Sequence, residues 1–427
     1  METNTYRIRD ICAIKSGKRL PAGCDFSDSP TNYRYIRSRD IKFGKILLDD
    51  IAYIDEITQK RIRKYIINDG DVAITIVANI GDIGYATSDC DGINLTENAV
   101  RLTQFNKQIV YSKYLAYYLG QSSMKAYMEN LAAGAAQAKL GIYKIDKMKV
   151  QLPRLSIQKK VVDIIEKFDN LIESNNKRIK ALEQMAENLY KEWFVRFRFP
   201  GHENYEKLES KLGDIPSCFS IIKMHEAIDY YIGGGWGNDD ESDEFSEEAY
   251  VIRGTDFPHV QRGNLTTCPL RYHKASNYKA RKLQENDIIL EVSGGTAEQP
   301  VGRTLIVTQD TIDRLNGKVI CASFCKLMRM NPEIVTKYYF YYWMQLLYDT
   351  RIIDRFQLQS TGIINFQFEY FLRKGDLLLP EKRLMEMFDE QVKPMYAQIA
   401  FVAKENNNLI KQRDLLLPRL MSGKLEV

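Results

Sequence analysis

Residues 157–193, IQKKVVDIIEKFDNLIESNNKRIKALEQMAENLYKEW, return in pattern at residues 388–420, FDEQVKPMYAQIAFVAKENNNLIKQRDLLLPRL. In the first stretch Ile157, Val161, Ile164, Phe168, Leu171, Asn175, Leu182, Met185, Leu189 and Trp193 mostly follow alternating steps of three and four. That spacing lines one stripe of an α-helix and makes a heptad seam. In the second, Phe388, Val392, Met395, Ile399, Val402, Asn406, Leu409, Arg413, Leu416 and Leu420 occupy the same stripe at a shift of 231. Asn175 corresponds to Asn406, and a buried Asn in a seam fixes register at some cost in stability. Pro394 departs from the pattern and is expected to start or kink the second helix, because proline has no N–H to donate within a helix interior.

The sequence before each helix is also written twice. YRYIRSRDIKFGKI (33–46) is echoed by AYVIRGTDFPHVQRGNL (249–265), with Arg37 matching Arg253 and Asp40 matching Asp256 at a shift of 216. NDGDVAITIVANIGDIGYA (68–86) returns as QENDIILEVSGGTAEQPVGRT (284–304), YSKYLAYYL (111–119) as TKYYFYYWM (336–344), AGAAQAKLGI (133–142) as QSTGIINF (359–366), and VQLPRLSIQ (150–158) as LLLPEKRLM (377–385). Short β-branched runs such as DVAITIV and DIILEVS, bounded by Gly and Asp, read as strands. The chain is therefore expected to be mixed α/β with a pseudo-twofold internal repeat: a globule at 1–153, a long helix at 154–198, a second globule at 199–379 and a second helix with its tail at 380–427. Residues 199–217 form the joint between the halves.

At 427 residues the chain exceeds one ordinary core. A net charge of +4 permits nucleic-acid binding without demanding it, while 60 Lys plus Arg with 26 Tyr and 18 Phe leave ample material for locally basic, aromatic surfaces. No window approaches the roughly 18 apolar residues of a membrane span, and the first residues lack a signal-peptide core, so a cytoplasmic protein is expected. The seven cysteines are odd in number and never spaced as CxxC, which argues against a disulfide framework or a zinc site.

Enzyme classes are tested by motif. An amino-methyltransferase needs a Pro-Pro turn carrying Asn or Asp, and none of the 12 prolines has a proline neighbour. The run GGGWG (233–237) lacks the strand-loop-helix context of a cofactor loop and reads as a flexible turn. No GxxxxGK[ST] occurs, and the four histidines are isolated, so no nucleotide motor, metal cluster or Ser-His pair is suggested. No catalytic residue, metal or cofactor is expected.

A duplicated α/β domain, each copy closed by a seam-bearing helix that starts after Pro153 or Pro380, with IR-x-x-D segments and the ending RDLLLPRLMSGKLEV (413–427), resembles the specificity subunit of type I restriction-modification systems. The resemblance spans the whole chain. It implies a non-catalytic protein in which each globule is a target recognition domain reading one half of a split double-stranded DNA sequence. It also implies that the two helices pack antiparallel and bind methyltransferase subunits, two of them being expected, through which restriction subunits join.

Candidate DNA contacts follow from residue type. In KSGKRLP (15–21), Lys15, Lys18 and Arg19 surround a glycine; Arg bridges guanine and Lys neutralises phosphate, the alternative being a solvated loop. Arg34, Arg37, Arg39 and Lys42 alternate in RYIRSRDIK, although an Arg-Asp pair with Asp40, and likewise between Arg253 and Asp256, is an equal reading. In the second globule Arg271, Lys274, Lys279, Arg281 and Lys282 suit a backbone-tracking groove. The loops at 293–303 and 356–366 add Thr296, Gln299, Arg303, Gln357 and Gln359. The acidic GNDDESDEFSEE (237–248) is expected to be a solvated loop. The aromatic stretches near 114 and 338–343 have helical spacing and are read as core, and the surplus leucines at 415–417 and 420 as a partner-binding face. Two other readings stay open: a self-sufficient methyltransferase with divergent motifs, and a structural coiled-coil adaptor.

Overall fold

The computed structural model describes residues 2–42, 44–133, 138–295, 299–360 and 363–427, with backbone alone at 359, 360 and 363. They fall into two compact units, Met1–Leu171 with Ile410–Val427, and Ile172–Leu409.

In the first unit a sheet runs in the order Ala13–Ser16, Ala99–Thr103, Val72–Thr75, Ile83–Tyr85, Gly44–Ile46, Ile41–Lys42. A second sheet runs Ala52–Ile54, Tyr33–Ile36, Ile93–Leu95, Ile66–Ile67. Val72–Thr75 is buried at every position, which is why the run VAITIV is nearly all apolar rather than alternating. The second unit repeats the plan with Ile228–Gly233, Cys325–Met330, Ile288–Glu291 and Thr304–Ile306 in one sheet, and Leu270–His273, Glu247–Ile252 and Val319–Cys321 in another. Even the parallel pair is repeated: Tyr33–Ile36 beside Ile93–Leu95, and Glu247–Ile252 beside Val319–Cys321.

Each unit feeds a long helix from the same device. Thr3–Arg7 pairs antiparallel with Lys149–Pro153, and Phe219–Lys223 with Asp376–Pro380. The proline ends the strand pairing, and the helices Leu155–Tyr190 and Lys382–Met421 follow. The first continues through a π-turn at Lys191–Val195. From Leu155 to Lys382 the shift is 227, one helical turn short of the 231 read from the apolar stripe. Residues i and i+4 lie on one face, so a stripe alone cannot distinguish the two registers.

Both helices contribute to each core. In the first unit Val161, Val162 and Ile165 pack with Tyr114, Leu115 and Leu152, and with Leu420 and Met421 from the end of the second helix. In the second unit Tyr190, Trp193 and Phe194 pack with Tyr339, Phe340 and Phe371, and with Phe388 and Val392 from its start. The pairing inside each unit is therefore antiparallel. At the polar layer Asn175 donates to Glu405 at 2.9 Å and Asn406 to Asn176 at 3.0 Å, both Asn side chains being buried.

Three expectations need correction. Leu171 and Met185 are exposed, while Ile179 and Ala186 are buried and Ile172 is half-buried. A straight helix precesses about 20° per heptad, so the buried stripe moves one residue along. Pro394 lies inside the second helix, on its exposed side, and not at its start. Of the surplus leucines only Leu415 is exposed, at 73%; Leu416 and Leu417 pack on the first unit's core and Leu420 is buried in it. The aromatic stretches are core, with Tyr114, Tyr339 and Phe340 fully enclosed.

Candidate nucleic-acid interface

The repeated sheets place one loop identically in both units. After Ala13–Ser16 the chain arches over the turn that follows Ile93–Leu95: Gly17 N–H donates to the Ala99 carbonyl at 3.1 Å and Lys18 N–H to Leu95 at 2.8 Å. After Ile228–Gly233, Gly234 N–H donates to Cys325 and Gly235 N–H to Cys321, each at 2.9 Å. A Cβ on Gly17 would stand 2.0 Å from the Thr96 carbonyl oxygen, and one on Gly234 2.2 Å from that of Ala322. Only glycine lets the arch lie this close to the turn. GGGWG is thus the counterpart of SGKR and not a loose turn. The sign legible in the sequence was the glycine itself, kept at a shift of 217.

In the first unit this arch edges an open groove lined by Lys18, Arg19, Tyr65, Glu97, Lys139 and Tyr143. Lys18 lies 5.7 Å above the Tyr65 ring, and Arg19, largely exposed, pairs with Glu97 at 3.1 Å. Lys139 is held by a bridge to Val77, and Tyr143 is exposed. Cations and aromatic faces along one groove are what a nucleic-acid backbone and its bases engage. Tyr65, Lys139 and Tyr143 were not singled out from the sequence, because they come from three separate segments. Lys15 is exposed on the adjoining strand.

The second arginine group is committed differently. Arg37 makes a two-bond fork to the buried Asp40 and also reaches Asp50; Arg39 pairs with Asp50 at 2.8 Å and Arg34 donates to the Asp89 carbonyl at 2.7 Å. Lys42 ends the strand Ile41–Lys42 and is half-buried. Arg253 repeats the fork on Asp256 with 2.9 Å bonds. Burial alone would raise the Asp256 carboxyl, but the bonds from Arg253 hold it below the ordinary carboxylate range. Asp71 and Asp287 are a further repeated pair, each buried and bridged by an arginine, Arg101 or Arg329.

In the second unit the basic segment is largely engaged within the fold. Arg271 is buried, stacks at 4.6 Å on Trp236, pairs with Asp239 and donates to the Trp236 and Gly237 carbonyls. Lys274 pairs with Glu244, and Lys318 with Glu248 at 2.8 Å. Residues 238–244 of the acidic stretch are exposed, as expected of a solvated loop, and Asp239, Glu244 and Glu248 in it also pair with these cations. Arg281 donates to the Gly233 carbonyl at 2.9 Å, while Lys279 and Lys282 are exposed, the latter 5.9 Å from the Tyr278 ring. Buried His273 has its imidazole pushed toward the neutral form by burial and by Arg271 and Arg281. Arg303 forms a buried fork with Glu291, and Gln357 donates to the Val301 carbonyl and Asp354. Gln299 is exposed; Thr296 and the Gln359 side chain lie outside the described residues.

Fold and groove together make a doubled α/β protein with a groove lined by cations and aromatic rings in its first unit. Residues 1–184 match the family model described as type I restriction modification DNA specificity domain. A putative type I restriction enzyme MjaX specificity subunit from Methanocaldococcus jannaschii is 23% identical over 438 residues, covering 99% of this chain and 94% of that one. The type I restriction enzyme HindI specificity subunit from Haemophilus influenzae is 21% identical over 482 residues, covering 98% and 99%. Among solved structures, the S subunit of a type I restriction-modification system from M. genitalium shares the fold with a TM-score of 0.51, at 13% identity over 98% of this chain and 96% of that one. Over nearly its whole length the chain is thus similar to specificity subunits of type I restriction-modification systems, and residues 1–184 match the DNA specificity domain of that family. No helix among the described residues is long and apolar enough to cross a membrane.

Proposed function

We propose that the chain is a non-catalytic specificity subunit in which each half reads one half of an asymmetric, bipartite DNA sequence in the cytoplasm, and that the paired helices set the unread spacer and dock two modification subunits, through which restriction subunits join. The observation that carries the reading is the repeated fold bearing unlike residues on the same arch, Lys18–Arg19 in one half and Gly235–Trp236 in the other. One chain with two unlike readers matches an asymmetric site, whereas an identical homodimer reads a palindrome. A helix of 36 residues is about 54 Å long at ~1.5 Å per residue, enough to span more than one turn of B-DNA at about 34 Å.

Exposed Lys15, Lys18, Arg19, Lys279 and Lys282 remain as DNA contacts in this reading. Arg271, Arg303, Arg253 and Arg37 are assigned instead to holding the fold, since each guanidinium is at least half-buried and fixed on a carboxylate, whereas Arg19 is 80% exposed and can leave Glu97 for a phosphate. The test is methylome sequencing of a host carrying the chain with its modification subunit. A bipartite modified motif that vanishes on deletion of the chain supports the proposal; an unchanged methylome removes it.

A further inference from the structure

We propose that Trp236 and Phe324 are specificity-determining residues, forming the base-contacting edge of the second half where the first half presents Lys18 and Arg19. The inference rests on the reading of the chain as a two-half DNA reader.

The arches at Gly17 and Gly234 donate to the same two carbonyls of the same turn, residues 95 and 99 in one unit and 321 and 325 in the other. Ile76 N–H bonds the Asn98 carbonyl just as Val292 N–H bonds that of Phe324, so Phe324 stands where Asn98 does and Ser323 where Glu97 does. Trp236, two residues past its arch glycine, stands where Arg19 does. In the first unit Arg19 and Glu97 touch at 3.1 Å, so positions 236 and 323 share one edge, and Phe324 is the next residue along that turn.

The chemistry at that edge is inverted between the halves. The first offers cations beside Tyr65 and Tyr143. The second offers Trp236, 40% exposed, and Phe324, 66% exposed, two large apolar side chains left in water. The Trp236 ring is held rather than loose. Arg271 stacks on it, and Gly237, at φ +69° with no room for a Cβ beside the Tyr272 carbonyl, turns the chain back onto the sheet. The nearby cations Arg271 and Lys274 are matched by Asp239 and Glu244. An edge that is rigid, aromatic and locally neutralised gains little from phosphates. It suits apolar contact with thymine methyls and base faces, which carry sequence information.

The experiment uses the full chain assembled with its modification subunit. Binding is selected from DNA randomised in both half-sites and measured against salt. Phe324→Ala, which removes an exposed side chain, and Trp236→Ala are each expected to make at least one position of a single half-site degenerate. Cognate affinity should fall about tenfold or more, with the other half-site and the salt slope unchanged. Lys18→Ala and Arg19→Ala should instead lower the salt slope by about 0.9 for each phosphate no longer neutralised. The retained half-site shows that the variants are folded. Both half-sites intact in both aromatic variants, or a slope that falls as it does for the lysine variant, overturns the assignment. A wild-type complex that selects no bipartite site overturns the parent reading as well.

Discussion

The Arg413 guanidinium donates to the Asp169 carboxylate at 2.7 Å, so the one charged position in the second helical stripe meets its partner on the first helix inside the same unit. Tyr117 also donates to Asp169. Both members of the ion pair are mostly buried, so removing one leaves the other charge poorly solvated. Arg413→Ala is expected to destabilise the first unit by about 2 kcal/mol, the range for a hydrogen bond to a charged group. Denaturant unfolding followed in the first unit would measure it, and a midpoint equal to wild type counts against the pair.

The arch glycines provide a sharper steric prediction. Gly234→Ala places a Cβ 2.2 Å from a backbone oxygen, whereas at the neighbouring Gly233 nothing lies within 4 Å. Gly234→Ala should cost about 2 kcal/mol or more, and Gly233→Ala little. Thermal melts of the two variants side by side decide this, and equal melts would refute the close approach.

Acid should weaken the second unit through Asp256. Its folded pKa lies below the unfolded value of about 4, so the stabilisation is complete above that value and is lost as pH falls through the folded one. Asp256→Asn should therefore be less stable than wild type at neutral pH, with the gap closing at low pH.

Asp389 has the opposite sign. Burial pushes its carboxyl up to about 6, partly countered by the Thr336 hydroxyl at 2.8 Å and nearby backbone N–H groups. The neutral form is favoured in the folded state, so stability falls as pH rises from about 4 to about 6 and remains lower above that. Asp389→Asn, which keeps an acceptor for Thr336, should flatten that part of the pH–stability curve; an unaltered profile would dismiss Asp389 as its source.

Pairing of the acidic stretch with the basic one predicts a DNA effect. Glu244→Gln frees Lys274 for phosphate, so non-specific binding should tighten at low salt and the salt slope steepen by about 0.9. Titration of non-cognate duplex at several salt concentrations reads this, and an unchanged slope would show that Lys274 stays away from DNA.

The duplication, the strands within it and both long helices were legible because each rests on local pattern: a shift of 216 in the strands and a stripe of apolar residues in the helices. The finer register was not. A stripe repeats every turn, so 231 and 227 look alike until the strand pairs ending at Pro153 and Pro380 fix the helix starts. The Arg37–Asp40 and Arg253–Asp256 forks were visible as one of two readings, since partners three residues apart are local. The groove partners Tyr65, Lys139 and Tyr143, and the equivalence of Trp236 with Arg19, were not visible, because they depend on segments brought together only by the sheet.

By itself, then, the chain's text determined what short-range chemistry dictates: two copies of one α/β plan, two amphipathic helices and their polar Asn positions. The tertiary structure decided which charges remain available. Whether an arginine offers its charge to a phosphate or spends it on a neighbouring carboxylate depends on distances of a few ångströms between residues far apart in sequence, and Coulomb energies change most at that range.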